Sequence, residues 1–327
     1  MAGLERAMRH ITAEAERIAE TYADMGADHA GPLFNRVMGN QASDGAFFTR
    51  PVAAAVAARL TLDACGEADW RDSEVWRAHK IVDPACGSGT LLAAMLTYMK
   101  RRAREQGADD ERLADLQRLA VEDTIKGLDI NPVSLQLAAA QLTAGNQNTR
   151  YRRMGLHLMP YGPSQADPAR VSAGSLELLG QKAIVPRDDE LNFPDDKIAS
   201  QSVWRDEDDA ELEDAVDAAK DARIIIMNPP FSNRAKMGEK FPKETQQRLR
   251  GRADAMEKNL VRSDKDMDDF VDKNSIRPLF VALADHCVNR GDGVVTMINP
   301  TIALSTTSGL NERRILVQRF HIHTVLT

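Results

Sequence analysis

Asn228, Pro229, Pro230 and Phe231 close an apolar run, Ile224 to Met227, with an amide, two fixed rings and an aromatic side chain. Neither proline has an N–H to give, so a sheet ladder cannot continue through them. Their few backbone conformations also hold neighbouring carbonyl groups in place. That matters for one kind of chemistry. An amine on an aromatic ring is a poor nucleophile because its lone pair is delocalised into the ring. Hydrogen-bond acceptors for both amine hydrogens draw the nitrogen toward sp³ and localise that pair. The Asn228 side-chain oxygen and the Pro229 carbonyl are two such acceptors, and Phe231 can stack on a planar ring. Orientation and preorganised acceptors suffice here, without a strong general base. The alternative is a plain strand-ending turn.

A second group of residues lies upstream. Asp83 to Gly89 reads Asp-Pro-Ala-Cys-Gly-Ser-Gly, a glycine turn between an apolar stretch and a helical one. Gly87 and Gly89 permit a tight turn and a close approach of the backbone to a ligand. Such turns cradle nucleotide-like ligands at the carboxyl edge of parallel sheets. The pattern is not G-x-G-x-x-G and no Gly-Lys-Ser/Thr follows, which argues against a dinucleotide or a phosphate cradle. Asp83 suits a ligand with a cationic amine. Asp129, in Gly-Leu-Asp-Ile-Asn-Pro, suits a ribose whose two hydroxyls one carboxylate can accept. S-adenosylmethionine has both features. Asp129 alone also reads as the N-cap of the next helix.

Strands and helices alternate around these residues. Lys80–Thr90 reads as a short strand, a glycine turn and a helix start, and Thr124–Pro132, a stretch ending near Gly174, Ala222–Phe231 and Gly293–Pro300 read as the strands that follow. His321 to Thr327 begins a sixth. Between them, Leu91, Leu92, Met95, Leu96 and Met99 recur on one helical face. Alternation of this kind means a parallel α/β sheet. Residues 1–44 read as a helical N-terminal region, and 45–327 as one catalytic domain. Two stretches break the rhythm. Residues 181–221 form an acidic insertion, whose simplest reading is a solvated helix. Residues 232–262 form a basic loop directly after the proline turn. Arg234, Lys236, Arg248, Arg250 and Arg252 there are candidate contacts to a phosphate backbone.

Composition narrows the classes. With 43 % hydrophobic and 28 % charged residues the chain is a soluble globular type. Its net charge of −7 argues against a nucleic-acid partner on average, so such binding needs a local basic patch. Cys65, Cys86 and Cys287 are widely spaced and form no CxxC pair, consistent with a reducing cytoplasm. There is no apolar leader, no span-length apolar run and no metal-ligand spacing among the histidines.

The order Gly-Ala-Phe-Phe-Thr-Arg-Pro, Asp-Pro-Ala-Cys-Gly-Ser-Gly-Thr, Gly-Leu-Asp-Ile-Asn-Pro and Asn-Pro-Pro-Phe resembles the N6-adenine DNA methyltransferases. It is most similar to the modification subunits of type I restriction systems and related phage-defence enzymes. The resemblance implies a Rossmann-like, seven-stranded S-adenosylmethionine-dependent sheet with a helical N-terminal region. It implies that Phe48 and Thr49 touch the methionine end of the cofactor, with Asp83, Ala85, Gly87 and Gly89 around its methionine and sulfonium. Asp129 would then bind the ribose and Ile130 the adenine ring, while Asn228, Pro229, Pro230 and Phe231 engage a flipped adenine. DNA is the implied partner, with a specificity subunit or a C-terminal recognition domain.

Three departures stand out. Arg50 lies between the threonine and the proline of the first motif. Ser175 stands where relatives carry an acid near the cofactor's adenine amine. The seventh strand and a target recognition domain are missing from the sequence, which implies a fragment or a chain completed by another polypeptide. Related chemistries remain alongside: cytosine-N4 enzymes usually show Ser-Pro-Pro, and protein glutamine enzymes usually end the turn in tyrosine. A guanine-N2 enzyme acting on ribosomal RNA also uses such a turn. A non-catalytic subunit that keeps the fold is an alternative of another class.

Overall fold

The computed structural model describes residues 49–144, 146, 149–164, 170–180, 207–231, 233–263, 275–301 and 309–325. The helical region expected over 1–44, Phe48 and residues 181–206 of the acidic stretch lie outside them.

Among the described residues there are seven strands: β1 (Ile81–Asp83), β2 (Ile125–Asp129), β3 (Leu156–Leu158), β4 (Tyr161–Pro163), β5 (Val171–Ala173), β6 (Ile224–Met227) and β7 (Val294–Met297). Five form one parallel sheet in the order β3-β2-β1-β6-β7. The helices are α1 (Pro51–Ala64), α2 (Ser73–Ala78), α3 (Thr90–Glu105), α4 (Asp110–Leu119), α5 (Pro132–Thr143), α6 (Glu207–Ala219), α7 (Lys243–Ser263), α8 (Arg277–Cys287) and α9 (Leu310–Arg319). The parallel α/β sheet expected from the alternation is therefore present.

Both faces of the sheet are covered, and the strand residues divide by parity. Ile81, Ile125, Ile224 and Ile226 face a cluster with α1, α3 and α4. Val82, Leu128, Ile225 and Met227 face the other, with α6, α8 and Ile315 of α9. All four residues of β6 have no exposed surface. Burial of each such side chain contributes about 1.5–3 kcal/mol, which is how so short a strand keeps its place. The α3 stripe of Leu91, Leu92, Met95, Leu96 and Met99 is buried as its spacing required.

The third strand of the sheet differs from the expected one. It is β3, while the stretch ending near Gly174 supplies β5, which pairs antiparallel with β4 away from the main sheet. The reason is Pro160. Met159 N–H still donates to Asp129 O at 2.8 Å, but Pro160 has no N–H and the chain leaves the ladder there. Gly174 N–H then closes back on Pro160 O at 2.9 Å.

The strand expected from His321 is not formed either. His321 to Val325 is exposed, and no strand lies beside the outer edge of β7 among the described residues. An extended segment without a partner has no ladder to hold it.

The basic stretch is not a loop but mostly α7. Leu249, Ala253 and Met256 form a buried stripe at helical spacing beneath its charges. The acidic stretch ends in α6, whose Leu212, Ala215, Val216 and Ala219 are buried while Glu213, Asp214 and Asp217 are exposed. Lys80 Nζ donates to Asp217 O at 2.8 Å and Lys220 O at 2.7 Å, capping that helix.

Candidate functional site

Strand order assembles the site. β2, β1 and β6 are neighbours, so Asp129, Asp83 and Asn228 stand in a row at their carboxyl ends. Strands about 4.8 Å apart put the first and last of these roughly 10 Å from each other across the sheet. This is the edge at which open α/β sheets bind ligands.

The glycine turn is built by backbone bonds to the second acid. Asp83 is 1 % exposed, and its Oδ1 accepts from Ala85 N–H at 3.0 Å. Gly87 N–H donates to Asp129 Oδ2 at 2.9 Å, and Asn131 N–H donates to Asp129 Oδ1 at 2.8 Å. The α5 cap is Asn131, whose oxygen accepts from Val133 N–H at 2.9 Å, so Asp129 is not committed to capping. The two glycines do different work. Gly87 has φ +52° and nothing within 4 Å of where a Cβ would stand, so it faces open space. Gly89 has φ +82°, and a Cβ there would lie 2.7 Å from Ala138 Cβ, so it lets α5 pack against the turn. Ala85 is partly buried against the core.

The electrostatics of this edge are unfavourable on their own. Burial raises the Asp83 pKa well above its ordinary value, and the charge of Asp129 adds to it. Burial also raises the Asp129 pKa, against three backbone N–H groups that lower it. Among the described residues neither carboxylate has an ion-pair partner. A cation placed between them would relieve both. Ile130 forms the next part of the wall. A Cβ on Gly174, at φ +67°, would lie 2.6 Å from Ile130 Cγ2, so the chain after β5 presses on this side chain. Ser175 follows in the Gly174–Gly180 turn and is buried. It stands beside the β2 end, although not at the end of a strand of the main sheet.

The proline turn lies at the other end of the row. Ile298 N–H donates to Met227 O at 3.0 Å, and the prolines end the ladder directly afterwards. Asn228 Nδ2 donates to Thr49 Oγ1 at 3.0 Å. That bond joins the first and last sequence motifs and fixes which way the amide oxygen turns. Thr49 is buried, Pro229 is buried, and Pro230 and Phe231 are half-buried. Phe48 lies outside the described residues.

The basic candidates are mostly spent inside the protein. Arg234 is 3 % exposed, with Nη1 donating to Glu257 Oε2 at 2.6 Å and Asp254 Oδ1 at 2.9 Å, and Nε to Ser275 O at 3.2 Å. Arg252 donates to the buried Glu177 at 2.6 Å, and Glu177 also accepts from Ala173 N–H. Arg250 donates to Ala235 O and Arg248 to Glu244. Arg234 and Arg252 thus brace α7 against both sides of the site and are not offered to a phosphate. Lys236 is exposed. Glu177 and Glu257 went unnoticed in the sequence. The one available signal for Glu177 is an acid set among leucines in Ser-Leu-Glu-Leu-Leu.

No family model matches the sequence. Over 96 residues the chain is 34 % identical to the adenine-specific methyltransferase BrxX of Escherichia coli O9:H4 (strain HS). The resemblance to the adenine-specific methyltransferases is borne out. That match covers 28 % of this chain and 8 % of BrxX, so the chain corresponds to a small part of that relative. Among solved structures, the DrdV–DNA complex is similar with a TM-score of 0.51 and 15 % identity, over 88 % of this chain and 24 % of that one. The ATP-dependent type ISP restriction-modification enzyme LlaBIII bound to DNA gives a TM-score of 0.49 and 16 % identity, over 82 % and 15 %. At 15 % identity the DrdV likeness is one of fold, the Rossmann-like α/β arrangement described above. No helix among the described residues is long and apolar enough to cross a membrane.

Proposed function

We propose that this chain is the core of a DNA methyltransferase that moves a methyl group from S-adenosylmethionine to the exocyclic N6 of an adenine flipped out of the duplex. Restriction-modification or phage defence in the cytoplasm is the setting that fits its relatives. The observation that carries the reading is the Asn228 amide, tied to Thr49 at 3.0 Å, on the same sheet edge as the two buried carboxylates.

The residues fit the cofactor. When bound, it supplies a methyl group activated on a positively charged sulfur. Asp83 and Asp129 favour that cation because burial leaves their own charge uncompensated. Asp129 Oδ2 accepts from Gly87 N–H and Oδ1 from Asn131 N–H, and the carboxylate keeps acceptor capacity for a ribose hydroxyl. The open space before Gly87 admits the ligand, and Ile130 offers an apolar surface to its adenine ring.

At the other end, Asn228 Oδ1 and the Pro229 carbonyl accept hydrogen bonds from the target amine. Positive charge would grow on that nitrogen as it takes up the donated methyl group. The two oxygens stabilise it until a proton leaves to water. Phe231 stacks on the flipped base, and Pro230 keeps the turn rigid. The test is mass spectrometry of nucleosides from DNA treated with the protein and labelled cofactor. N6-methyladenine is expected. N4-methylcytosine or no labelled nucleoside overturns the assignment.

A further inference from the structure

The stretch after the proline turn is basic, yet its arginines point inward or pair locally. Arg234 and Arg252 meet buried glutamates, Arg248 meets Glu244 and Arg250 a main-chain carbonyl. What remains at the surface is lysine. Lys236, Lys240 and Lys243 are all exposed within eight residues, with only Glu239 among them. Lys236 and Lys240 stand in the short connection between the proline turn and α7, and Lys243 is the first residue of that helix.

Lys240 has a built seat. Its Nζ lies 5.6 Å from the ring centres of both Tyr161 and Phe241. The two rings are 6.0 Å apart, and Tyr161 Oη accepts from Gly238 N–H at 2.9 Å. Gly162, at φ +99°, leaves room for the Phe241 ring that any Cβ would meet. Tyr161 also lies against Gly174, which touches Ile130 of the cofactor wall. The ammonium is therefore held near the site by an aromatic pair that the hairpin fixes. A chain of net charge −7 with two buried acids at its site repels a polyanion unless positive charge is placed locally.

We propose that Lys236, Lys240 and Lys243 form the strip that grips the DNA phosphate backbone beside the flipped base, with Tyr161 and Phe241 positioning Lys240. This rests on the methyltransferase reading above. It keeps Lys236 from the sequence-based set, replaces the arginines, and adds two lysines.

The experiment is binding of a fluorescent 30-base-pair duplex (a length of about three helical turns) to the full chain over a series of salt concentrations. Removing one lysine–phosphate pair lowers the slope of log K against log salt by about 0.9. The triple variant Lys236→Ala, Lys240→Ala, Lys243→Ala is expected to lower the slope by about 2–3 with its melting temperature and cofactor binding unchanged. Tyr161→Leu is expected to weaken duplex binding less than the triple variant does. Arg252→Lys keeps the charge and is expected to leave the slope as it was. An unchanged slope in the triple variant overturns the strip, as does a wild-type chain that binds no duplex at low salt. Either result leaves the methyl-transfer assay to judge the enzyme on its own.

Discussion

At the carboxyl ends of β1 and β2, Asp83 and Asp129 are buried and meet backbone N–H groups, with no basic side chain beside them among the described residues. At the amino ends of the same strands lies a cleft of about 340 Å³ lined by Arg77, Arg112, Arg118, Asp115, Glu122 and Asp123. There the charges answer one another in water. Arg118 pairs with Asp115 and Arg77 with Glu74, each about half exposed or more. Exposed pairs of this kind contribute little, about 0–1 kcal/mol. They also cost little to keep. Buried carboxylates without counter-ions do cost, and a fold keeps them where a ligand repays that cost. The opposite treatment of charge at the two ends of one sheet is the physical reason to place the chemistry at the first.

Four substitutions test that contrast. Asn228→Ala is expected to lower methyl transfer by about 10²–10³-fold, the usual loss for a preorganised hydrogen-bonding group, while calorimetry shows cofactor binding nearly unchanged. Full activity would remove the proline turn from the active end. Asp129→Ala is expected to weaken cofactor binding by about 1–3 kcal/mol in the same calorimeter. Wild-type affinity in that variant would mean the carboxyl edge is merely structural.

Asp83→Asn should act in the other direction on stability. Its folded-state pKa lies above the ordinary 3.8, so the folded chain holds the proton more tightly than the unfolded one. That contribution is present at low pH and is lost as pH rises through the raised value. Removing the charge is therefore expected to raise the melting temperature of the ligand-free protein at neutral pH by about 2–4 °C, the equivalent of roughly 1 kcal/mol. The gain should shrink toward pH 4, and a fall in melting temperature at neutral pH contradicts the argument. The smallest effect is expected at the amino end, where Arg118→Ala should change stability by no more than about 0.5 kcal/mol in urea denaturation. A loss of several kcal/mol there would erase the distinction between the two ends.

The motifs could be read from sequence because each is local. A four-residue apolar strand ended by two prolines, and a glycine turn between a strand and an amphipathic helix, carry their geometry in adjacent residues. The contact between motifs could not be read. Thr49 and Asn228 are 179 residues apart, and nothing in either stretch says that they share a hydrogen bond. The fate of the arginines was hidden in the same way, since Arg234 and Arg252 find their acids 23 and 75 residues away. α7 was missed because Gly251 and a dense set of charges mask a stripe of only a few apolar residues. β3 was missed because three residues, Leu-His-Leu, are too few to show a period.

The two pairings of β1 differ in how much chain they enclose. Ile81 pairs with Ile125 on one side, 44 residues on, and with Ile224 on the other, 143 residues on. Loop closure costs more for the longer connection, and a chain emerging from the ribosome reaches β2 well before β6. The two acids can therefore meet while the proline turn is still unmade. The half that would hold the methyl donor is the more local in the chain, and the half that would aim it depends on a longer closure.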